Sequence, residues 1–261
     1  LGWKSLAVNL SDIAAMGGIP QEAVVGLGIP DKATLKDLKG LYRGLSLCSQ
    51  AFHCRIVGGD TNRSRSGWVL SVAVTGYCSR TPKLRRGARP GDGLWVTGSF
   101  GGSALGWEAM RKKLKTKLTA PFRKKFSRPQ PRIAWGQRLG ENPAVTSMMD
   151  CSDGLAGDLG HIARAGKVGL EVDLERIPRL AGFDKACKTL KVSPERMLLS
   201  GGEDYELIFT LDAKEEENFA DWIRRRDICA VRIGRAHQGK GVVFKKNGKK
   251  LPNTISGFKH F

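Results

Sequence analysis

An acidic turn offers the clearest candidate for chemistry, because Asp150 and Asp153 lie three residues apart with Ser152 between them. An apolar run at 144–149 precedes the turn and a helical apolar pattern at 155–163 follows it, so we predict a strand, a turn and a helix. Carboxylates this close repel each other unless a cation lies between them. Mg²⁺ prefers such hard oxygen ligands and often accompanies phosphate substrates. A helix start capped by Ser152 or Asp153 explains the same spacing, and both interpretations stay open.

Further acidic residues lie where we predict that elements end. Asp12 lies near the end of an N-terminal helix, and Asp60 follows a glycine pair that closes a strand at 55–61. The missing side chains of that pair would let a phosphate approach the backbone. Glu203 and Asp204 precede a strand and form a third acidic locus. The ordinary alternatives are a solvated helix carboxylate for Asp12 and a simple Gly-Asp turn for Asp60.

The elements that must position these acids form two predicted units, residues 1 to about 80 and about 86 to 261. A basic, proline-containing linker at 79–93 joins them. One of its arginines could clamp a phosphate, although such a charge run is usually a solvated loop. In the first unit, Thr34 predicts the start of a helix that runs to about His53. The apolar stripe of this helix makes Tyr42 a core residue by default.

Two stretches suggest binding of a nucleotide or a nucleic acid, but neither contains the motif that is typical of such a site. The glycine-rich turn at 98–103 lacks the G-x-G-x-x-G spacing and the G-K-[ST] of a P-loop, so we interpret it as a tight strand-to-helix turn. The run at 111–132 is rich in Lys and Arg and contains no acid. No recognition motif accompanies it, and we therefore expect an exposed cationic connector rather than a nucleic-acid site.

Composition limits the functional classes. Lys and Arg number 44 against 25 Asp and Glu, a formal charge of +19 over 261 residues, which favours anionic partners. The six cysteines contain no C-x-x-C pair, so we expect reduced thiols in a cytoplasmic protein. No apolar run reaches 18 residues, and we predict no membrane span.

Taken together, five motifs resemble one family. They are Asn9-Leu10-Ser11-Asp12-Ile13-Ala14-Ala15-Met16-Gly17, Gly58-Gly59-Asp60-Thr61, Asp150-Cys151-Ser152-Asp153-Gly154-Leu155, Gly201-Gly202-Glu203-Asp204-Tyr205-Glu206-Leu207 and Gly257-Phe258-Lys259-His260-Phe261. In this order they resemble the thiamine-monophosphate kinase family. Its superfamily also contains aminoimidazole-ribotide synthetase, selenophosphate synthetase and the hydrogenase maturation protein HypE. The fourth and fifth motifs are the most specific to the thiamine enzymes.

The resemblance implies ATP-dependent, Mg²⁺-assisted phosphorylation of thiamine monophosphate to thiamine diphosphate by direct in-line transfer. It implies an α+β, two-domain fold of the aminoimidazole-ribotide-synthetase type, with mixed sheets and helices packed on one face. An ATP- and Mg²⁺-binding domain would span 1–80 and an α/β domain 86–261. The implied residues are Asp12, Asp60, Asp150 and Asp153 for Mg²⁺ and catalysis, Tyr42, Gly59, Asp60, Arg85 and Ser152 for ATP, and Glu203 and Phe258 for the thiamine moiety. Arg85 fits the family's arginine better than Arg86, although the doublet leaves a one-residue ambiguity.

The resemblance also implies a homodimer with ATP near the cleft between domains. Family members carry an N-terminal segment with further acidic residues and a substrate histidine, which has no counterpart here; we expect residues before Leu1. One alternative function is another ATP-using synthetase of the superfamily. The other, which we expect less, is a basic RNA-binding protein.

Overall fold

The computed structural model describes residues 1–251 and divides them between two β-sheets. The helices are α1 (Gly2–Ala15), α2 (Leu35–Ala51), α3 (Gly102–Arg111), α4 (Ala120–Ser127), α5 (Ile133–Glu141), α6 (Leu155–Gly166), α7 (Phe183–Leu190), α8 (Pro194–Leu199) and α9 (Glu216–Arg224). The strands are β1 (Ile19–Pro30), β2 (Arg55–Ser64), β3 (Val69–Tyr77), β4 (Gly93–Thr97), β5 (Val145–Asp150), β6 (Gly169–Asp173), β7 (Leu207–Leu211), β8 (Ala230–His237), β9 (Gly241–Lys246) and β10 (Lys249–Lys250). The candidate Phe258 lies outside the described residues.

The first sheet has the strand order β2-β1-β3, with β1 parallel to β2 and antiparallel to β3. Alternate residues of β1 face opposite sides of the sheet. Ala23, Val25 and Leu27 are buried in a core that also contains residues of α1 and α2. Val24, on the other face, is exposed. This sheet therefore has helices on one face and an open second face.

The second sheet has the order β10-β9-β6-β8-β4-β7-β5 and carries apolar cores on both faces. Leu94 and Val96 of β4 pack into one core, while Trp95 between them packs into the other, which also contains residues of α1. Because helices cover both sides of these strands, every residue of β4 and β7 is buried, including Thr97 and Thr210.

Helix α1 packs against elements of both sheets. It packs against α2 and β3 on the first sheet and against α5 and β5 of the second unit. Two glycines allow this close crossing: a Cβ on Gly136 of α5 would lie 2.2 Å from the Ala14 carbonyl oxygen, and one on Gly2 would lie 1.9 Å from that of Leu41. The crossing brings Ser11 of α1 to the carboxyl end of β5, where Asp150 lies.

Several local predictions are confirmed. Thr34 caps α2, with reciprocal bonds to Asp37: the Asp37 backbone N–H donates to Thr34 Oγ1, and the Thr34 N–H donates to Asp37 Oδ2. An Asn-Gly pair is also the sequence signal of a two-residue hairpin turn, and Asn247 and Gly248, both with positive φ, connect β9 to β10 as a hairpin. A separate observation concerns membrane spans: within residues 1–251 no helix combines the length and apolarity needed to cross a bilayer.

Other predictions are wrong for identifiable reasons. Tyr42 is 47% exposed rather than in the core, because α2 buries the face formed by Leu41, Leu45 and Cys48. Strand β2 does not end at its glycine pair but continues to Ser64, because pairing with β1 persists along its whole length.

The basic run at 111–132 is not simply an exposed connector. It contains α4, whose Phe122 is fully buried and packs into the core of the second unit. The side chain of Lys125, on the same helix, is only 14% exposed because buried acids surround its amine.

Candidate functional site

Two of the sequence motifs form one paired structure at the end of the second sheet. Beyond the antiparallel pair of β5 and β7, the Cys151 N–H donates to the Glu206 carbonyl at 2.8 Å, and the Tyr205 N–H donates to the Cys151 carbonyl at 2.9 Å. The Glu203 N–H donates to the Ser152 carbonyl at 2.7 Å. These bonds place the acidic turn at 150–154 and the loop at 201–206 side by side.

The second loop adopts a backbone conformation that most side chains avoid. Glu203 has φ of 67° and Tyr205 has φ of 51°, both in the left-handed region. Gly202 between the loops has no room for a side chain, since a Cβ there would lie 2.3 Å from the Ser152 carbonyl oxygen. Strained residues that the surrounding structure holds in place are typical of functional loops.

Asp150 is the most deeply buried acid of the acidic turn. Its side chain accepts a 2.6 Å hydrogen bond from Ser11 Oγ, and the residue is 4% exposed. Burial raises the pKa of Asp150 to about 6; the Ser11 bond and the charge of Arg85 act against this rise, and the charge of Asp12 adds to it. Desolvation also raises the pKa of Asp12, against the field of Arg85. Asp12, Asp150 and Arg85 therefore form one electrostatic group.

The start of α6 differs from both capping predictions. Its N-cap is Gly154, with φ of 102°, and no side chain caps it. Instead Asp158, in the first turn of α6, accepts a 3.1 Å hydrogen bond from the Asp153 backbone N–H. Burial raises the pKa of Asp158 to about 7. A side chain of the helix, Asp158, therefore binds the backbone of the acidic turn, and neither the Ser152 nor the Asp153 side chain caps the helix.

The glycine-rich turn before α3 binds a carboxylate of the chain itself, that of Asp204. The N–H groups of Gly101 and Ser103 donate to the Asp204 carboxylate at 2.6 and 3.1 Å. A Cβ on Gly98 would lie 2.1 Å from Glu206 Oε1, so this glycine makes room for the second acid. The interpretation of the turn as structural agrees with this geometry, because Asp204 already occupies the N-terminus of α3.

Glu206 is fully buried and paired with two cations of the basic run. It accepts bonds from Arg132 Nε at 2.7 Å and Nη2 at 2.6 Å, from Lys125 Nζ at 3.2 Å and from Thr97 Oγ1 at 3.0 Å. Burial opposes ionisation of this carboxylate, but the charge of Lys125 and the bonds and charge of Arg132 outweigh it and hold the pKa of Glu206 below its usual value.

The residues expected at an ATP site are not all brought together. Arg85 is exposed, and its charge acts on both Asp12 and Asp150, whereas no comparable influence of Arg86 on these acids is found. Ser152 lies in the acidic turn, partly exposed. Tyr42 lies on the outer surface of α2.

Asp60 and Gly59 lie in the middle of β2 rather than at a strand tip. Asp60 pairs with Gly26, two residues along β1 from the exposed Val24, so it lies on the open face of the first sheet. Its carboxylate accepts bonds from the Thr61 N–H and from Asn62 Nδ2. Helix α1, which carries Asp12, packs against the opposite face.

Mg²⁺ fits the chemistry of the acids at the junction. Within residues 1–251, no group of three or more His, Cys, Asp or Glu side chains is arranged to hold a metal ion. Mg²⁺, however, is usually bound through one or two carboxylates together with substrate phosphates and waters. Asp12, whose charge raises the pKa of Asp150, and Asp150 itself offer such a pair of oxygen donors, and Asp153 lies in the same turn as Asp150.

Several residues of this region had weak sequence signals. Ser11 interrupts the apolar face of α1, and a polar residue on a buried face was the available signal. Arg132 and Lys125 were hidden within a run of similar cations. Asp158 looked like an ordinary first-turn acid of a helix.

Comparison with known proteins adds independent information. The model for the N-terminal domain of AIR synthase related proteins matches residues 1–78, and the model for their C-terminal domain matches residues 89–247. The thiamine-monophosphate kinase of Bacillus subtilis is 32% identical over 268 residues, covering 100% of this chain and 81% of the relative. That of Escherichia coli K12 is 34% identical over 272 residues, covering 100% and 80%.

Solved structures are similar over the same extent. The structure of AaThiL complexed with AMPPCP and TMP has a TM-score of 0.87 at 31% identity, covering 100% of this chain and 80% of that one. The hydrogenase maturation protein HypE of Escherichia coli has a TM-score of 0.81 at 19% identity, covering 97% and 79%. The second likeness concerns the fold alone.

Proposed function

This chain belongs to the thiamine-monophosphate kinase family, and we propose that it transfers the γ-phosphoryl group of ATP to thiamine monophosphate, giving thiamine diphosphate and ADP. The observation that carries the proposal is the pairing of the acidic turn at 150–154 with the loop at 201–206, beside Asp12. These three segments belong to three of the five motifs by which the sequence resembles this family.

The proposed reaction needs charge neutralisation and alignment rather than a protein nucleophile. The second pKa of a phosphate monoester is about 6, so its oxygen is largely ionised at neutral pH and can attack without a general base. The barrier then lies in bringing two anions together in line, which positioning and electrostatic stabilisation lower. Mg²⁺, when bound, would neutralise phosphate charge and align the oxygens.

The chain's own groups have separate proposed roles. Asp150, fixed by the Ser11 hydrogen bond, and Asp12 would hold the metal from two different segments, with Asp153 beside them. Arg85 would offer its guanidinium to the phosphates of ATP, since it lies where its charge reaches both acids. Ser152 would contact the same nucleotide from the acidic turn.

The open face of the first sheet supports two further parts of the proposal. Asp60 lies on this face and Gly59 precedes it on β2, and both would contribute to the nucleotide side of the site. Tyr42, on the outer surface of α2, would contribute as well. The face also exposes the apolar side chains of Val24, Val57 and Val69. Because apolar faces of this kind are typical of interfaces, we include a homodimer formed through this sheet.

A cytoplasmic location is also part of the proposal. All six cysteines are free, with Cys48, Cys54, Cys151 and Cys187 buried. Cysteines that stay as free thiols are usual in reducing compartments such as the cytoplasm.

An acceptor panel tests the function directly. The purified chain would receive Mg²⁺ and ATP with thiamine monophosphate, thiamine or the acceptors of the related synthetases, and products would be separated by chromatography. When thiamine monophosphate is the acceptor, we expect ADP and thiamine diphosphate in equal amounts. With the other acceptors we expect no ADP. ADP formation with another acceptor, and none with thiamine monophosphate, would support the alternative synthetase.

A further inference from the structure

Lys4, on the first turn of α1, contacts the loop at 201–206, which belongs to the second unit. Lys4 Nζ donates a 2.8 Å hydrogen bond to Glu203 Oε2 and also lies 3.6 Å above the centre of the Phe126 ring. We propose that Lys4 is a positioning residue for acceptor binding, which fixes the Glu203 carboxylate by this ion pair. The inference rests on the proposed function and on the role that the family resemblance implies for Glu203, which is contact with the thiamine moiety.

The Glu203 carboxylate depends on this lysine for its orientation. The Glu203 backbone is fixed in the left-handed region by its bond to Ser152, but this bond does not restrict the side-chain rotamers. Within residues 1–251, Lys4 forms the one hydrogen bond and the one ion pair found for this carboxylate. The side chain of Glu203 is 39% exposed, so without Lys4 it would sample several rotamers in solvent.

Lys4 is itself held in place by aromatic packing. Its side chain is only 19% exposed, and its ammonium group interacts with the Phe126 ring through a cation–π contact. Phe126 packs against Trp107 with ring centres 5.4 Å apart. A lysine fixed in this way presents its charge to Glu203 in one position, which a freely moving surface lysine would not.

The neighbouring residues hold the same turn of α1 against the basic run. The Trp3 indole N–H donates to the Pro129 carbonyl at 2.7 Å, and the Arg128 guanidinium lies 4.0 Å from the centre of the Trp3 ring. The segment at 126–129 therefore fixes the start of α1 relative to the second unit. This arrangement assigns the basic run a role in the geometry of the acceptor side, separate from any binding of anions.

If Lys4 positions Glu203, its removal should change the kinetics in a specific way. An orienting partner of Glu203 affects acceptor binding, whereas Arg85, Ser152 and the acidic turn serve the nucleotide. In Lys4→Met we expect the KM for thiamine monophosphate to rise roughly fivefold, between the effects usual for exposed ion pairs and for buried charge-assisted hydrogen bonds. The KM for ATP should stay unchanged. Lys4→Arg should recover most of the loss, because it keeps the charge.

A double-mutant cycle separates positioning from a general structural role. Glu203→Gln alone should raise the same KM, and adding Lys4→Met to it should change the KM little further, since Lys4 acts through Glu203. Lys32→Met, which removes an exposed lysine outside the site, should match the unmodified chain. Phe126→Leu should give a smaller rise in the acceptor KM, with the ATP KM unchanged.

The outcomes distinguish this inference from the function on which it rests. An acceptor KM that is unchanged in Lys4→Met, a parallel rise in both KM values, or full additivity with Glu203→Gln would overturn the positioning role while leaving the kinase activity established. Failure of the unmodified chain to form thiamine diphosphate would overturn the proposed function, and the inference with it.

Discussion

The ion pair between the buried Glu206 and the partly buried Arg132 provides the sharpest test of how the second unit is stabilised. Glu206 is fully buried and receives two of its hydrogen bonds from the guanidinium of Arg132, at 2.7 and 2.6 Å. Arg132→Met removes both bonds and the positive charge but keeps an apolar side chain. The carboxylate then retains Lys125 at 3.2 Å, Thr97 at 3.0 Å and the Ser99 N–H at 3.3 Å.

The size of the effect follows from the burial of the remaining charge. Removing one partner of a buried pair costs about 3–5 kcal/mol, and we expect the lower end, about 3 kcal/mol, because Lys125 still compensates and the Arg132 side chain is 28% exposed. Unfolding entropy of about 2.1 cal/mol/K per residue, over 261 residues, converts this loss into a Tm decrease of about 5 °C.

The loss should also depend on pH with a defined sign. The pKa of Glu206 is lower in the folded protein than its ordinary value, so its stabilising contribution is present above that value and disappears as pH falls through the folded pKa. The difference between Arg132→Met and the unmodified chain should therefore be largest at neutral pH and shrink in acid.

Urea unfolding monitored by tryptophan fluorescence measures the free energy of unfolding for this comparison. Lys124→Met is a matched control, because Lys124 is exposed on α4, next to Lys125, and no ion pair is found for it in the described part of the chain. An Arg132→Met protein as stable as this control at pH 7 would refute the reasoning.

Three further predictions concern the site. Gly202→Ala should lower stability by about 1–3 kcal/mol in urea unfolding, since its Cβ would meet a carbonyl oxygen, whereas Gly40→Ala, in open space on α2, should not destabilise. Because the pKa of Asp150 is raised to about 6, the apparent Mg²⁺ affinity in activity titrations should fall as pH drops below 6, and Ser11→Ala should move this midpoint to higher pH. Asp60→Asn should abolish turnover with circular dichroism unchanged; near-normal turnover would remove Asp60 from the site.

Local patterns predicted most of the helices and strands. The apolar pattern at 155–163 predicted α6, and Thr34 located the start of α2. The family resemblance, drawn from five separated motifs, is confirmed by the relatives and the two domain models. These features depend on neighbouring residues or on short motifs, which a sequence displays directly.

Features that depend on distant pairing were not predictable in the same way. The bonds between the acidic turn and the loop at 201–206 join residues about 50 positions apart, and Arg132 meets Glu206 across 74 positions. A cation in a basic run gives no sign that its partner is a buried acid. The open position of Asp60 depends on how far β2 pairs with β1, and the glycine pair before it weakens the sequence signal for a continuing strand.

Formation of thiamine diphosphate by the unmodified chain and by Asp153→Asn, measured side by side with saturating Mg²⁺ and ATP, tests the central claim most directly. The account predicts steady product formation by the unmodified chain and a loss of at least about a hundredfold in Asp153→Asn, a size typical for groups that stabilise transition-state charge. Circular dichroism and Tm should be the same for both proteins. Equal rates in the two proteins, or no thiamine diphosphate from either, would contradict it.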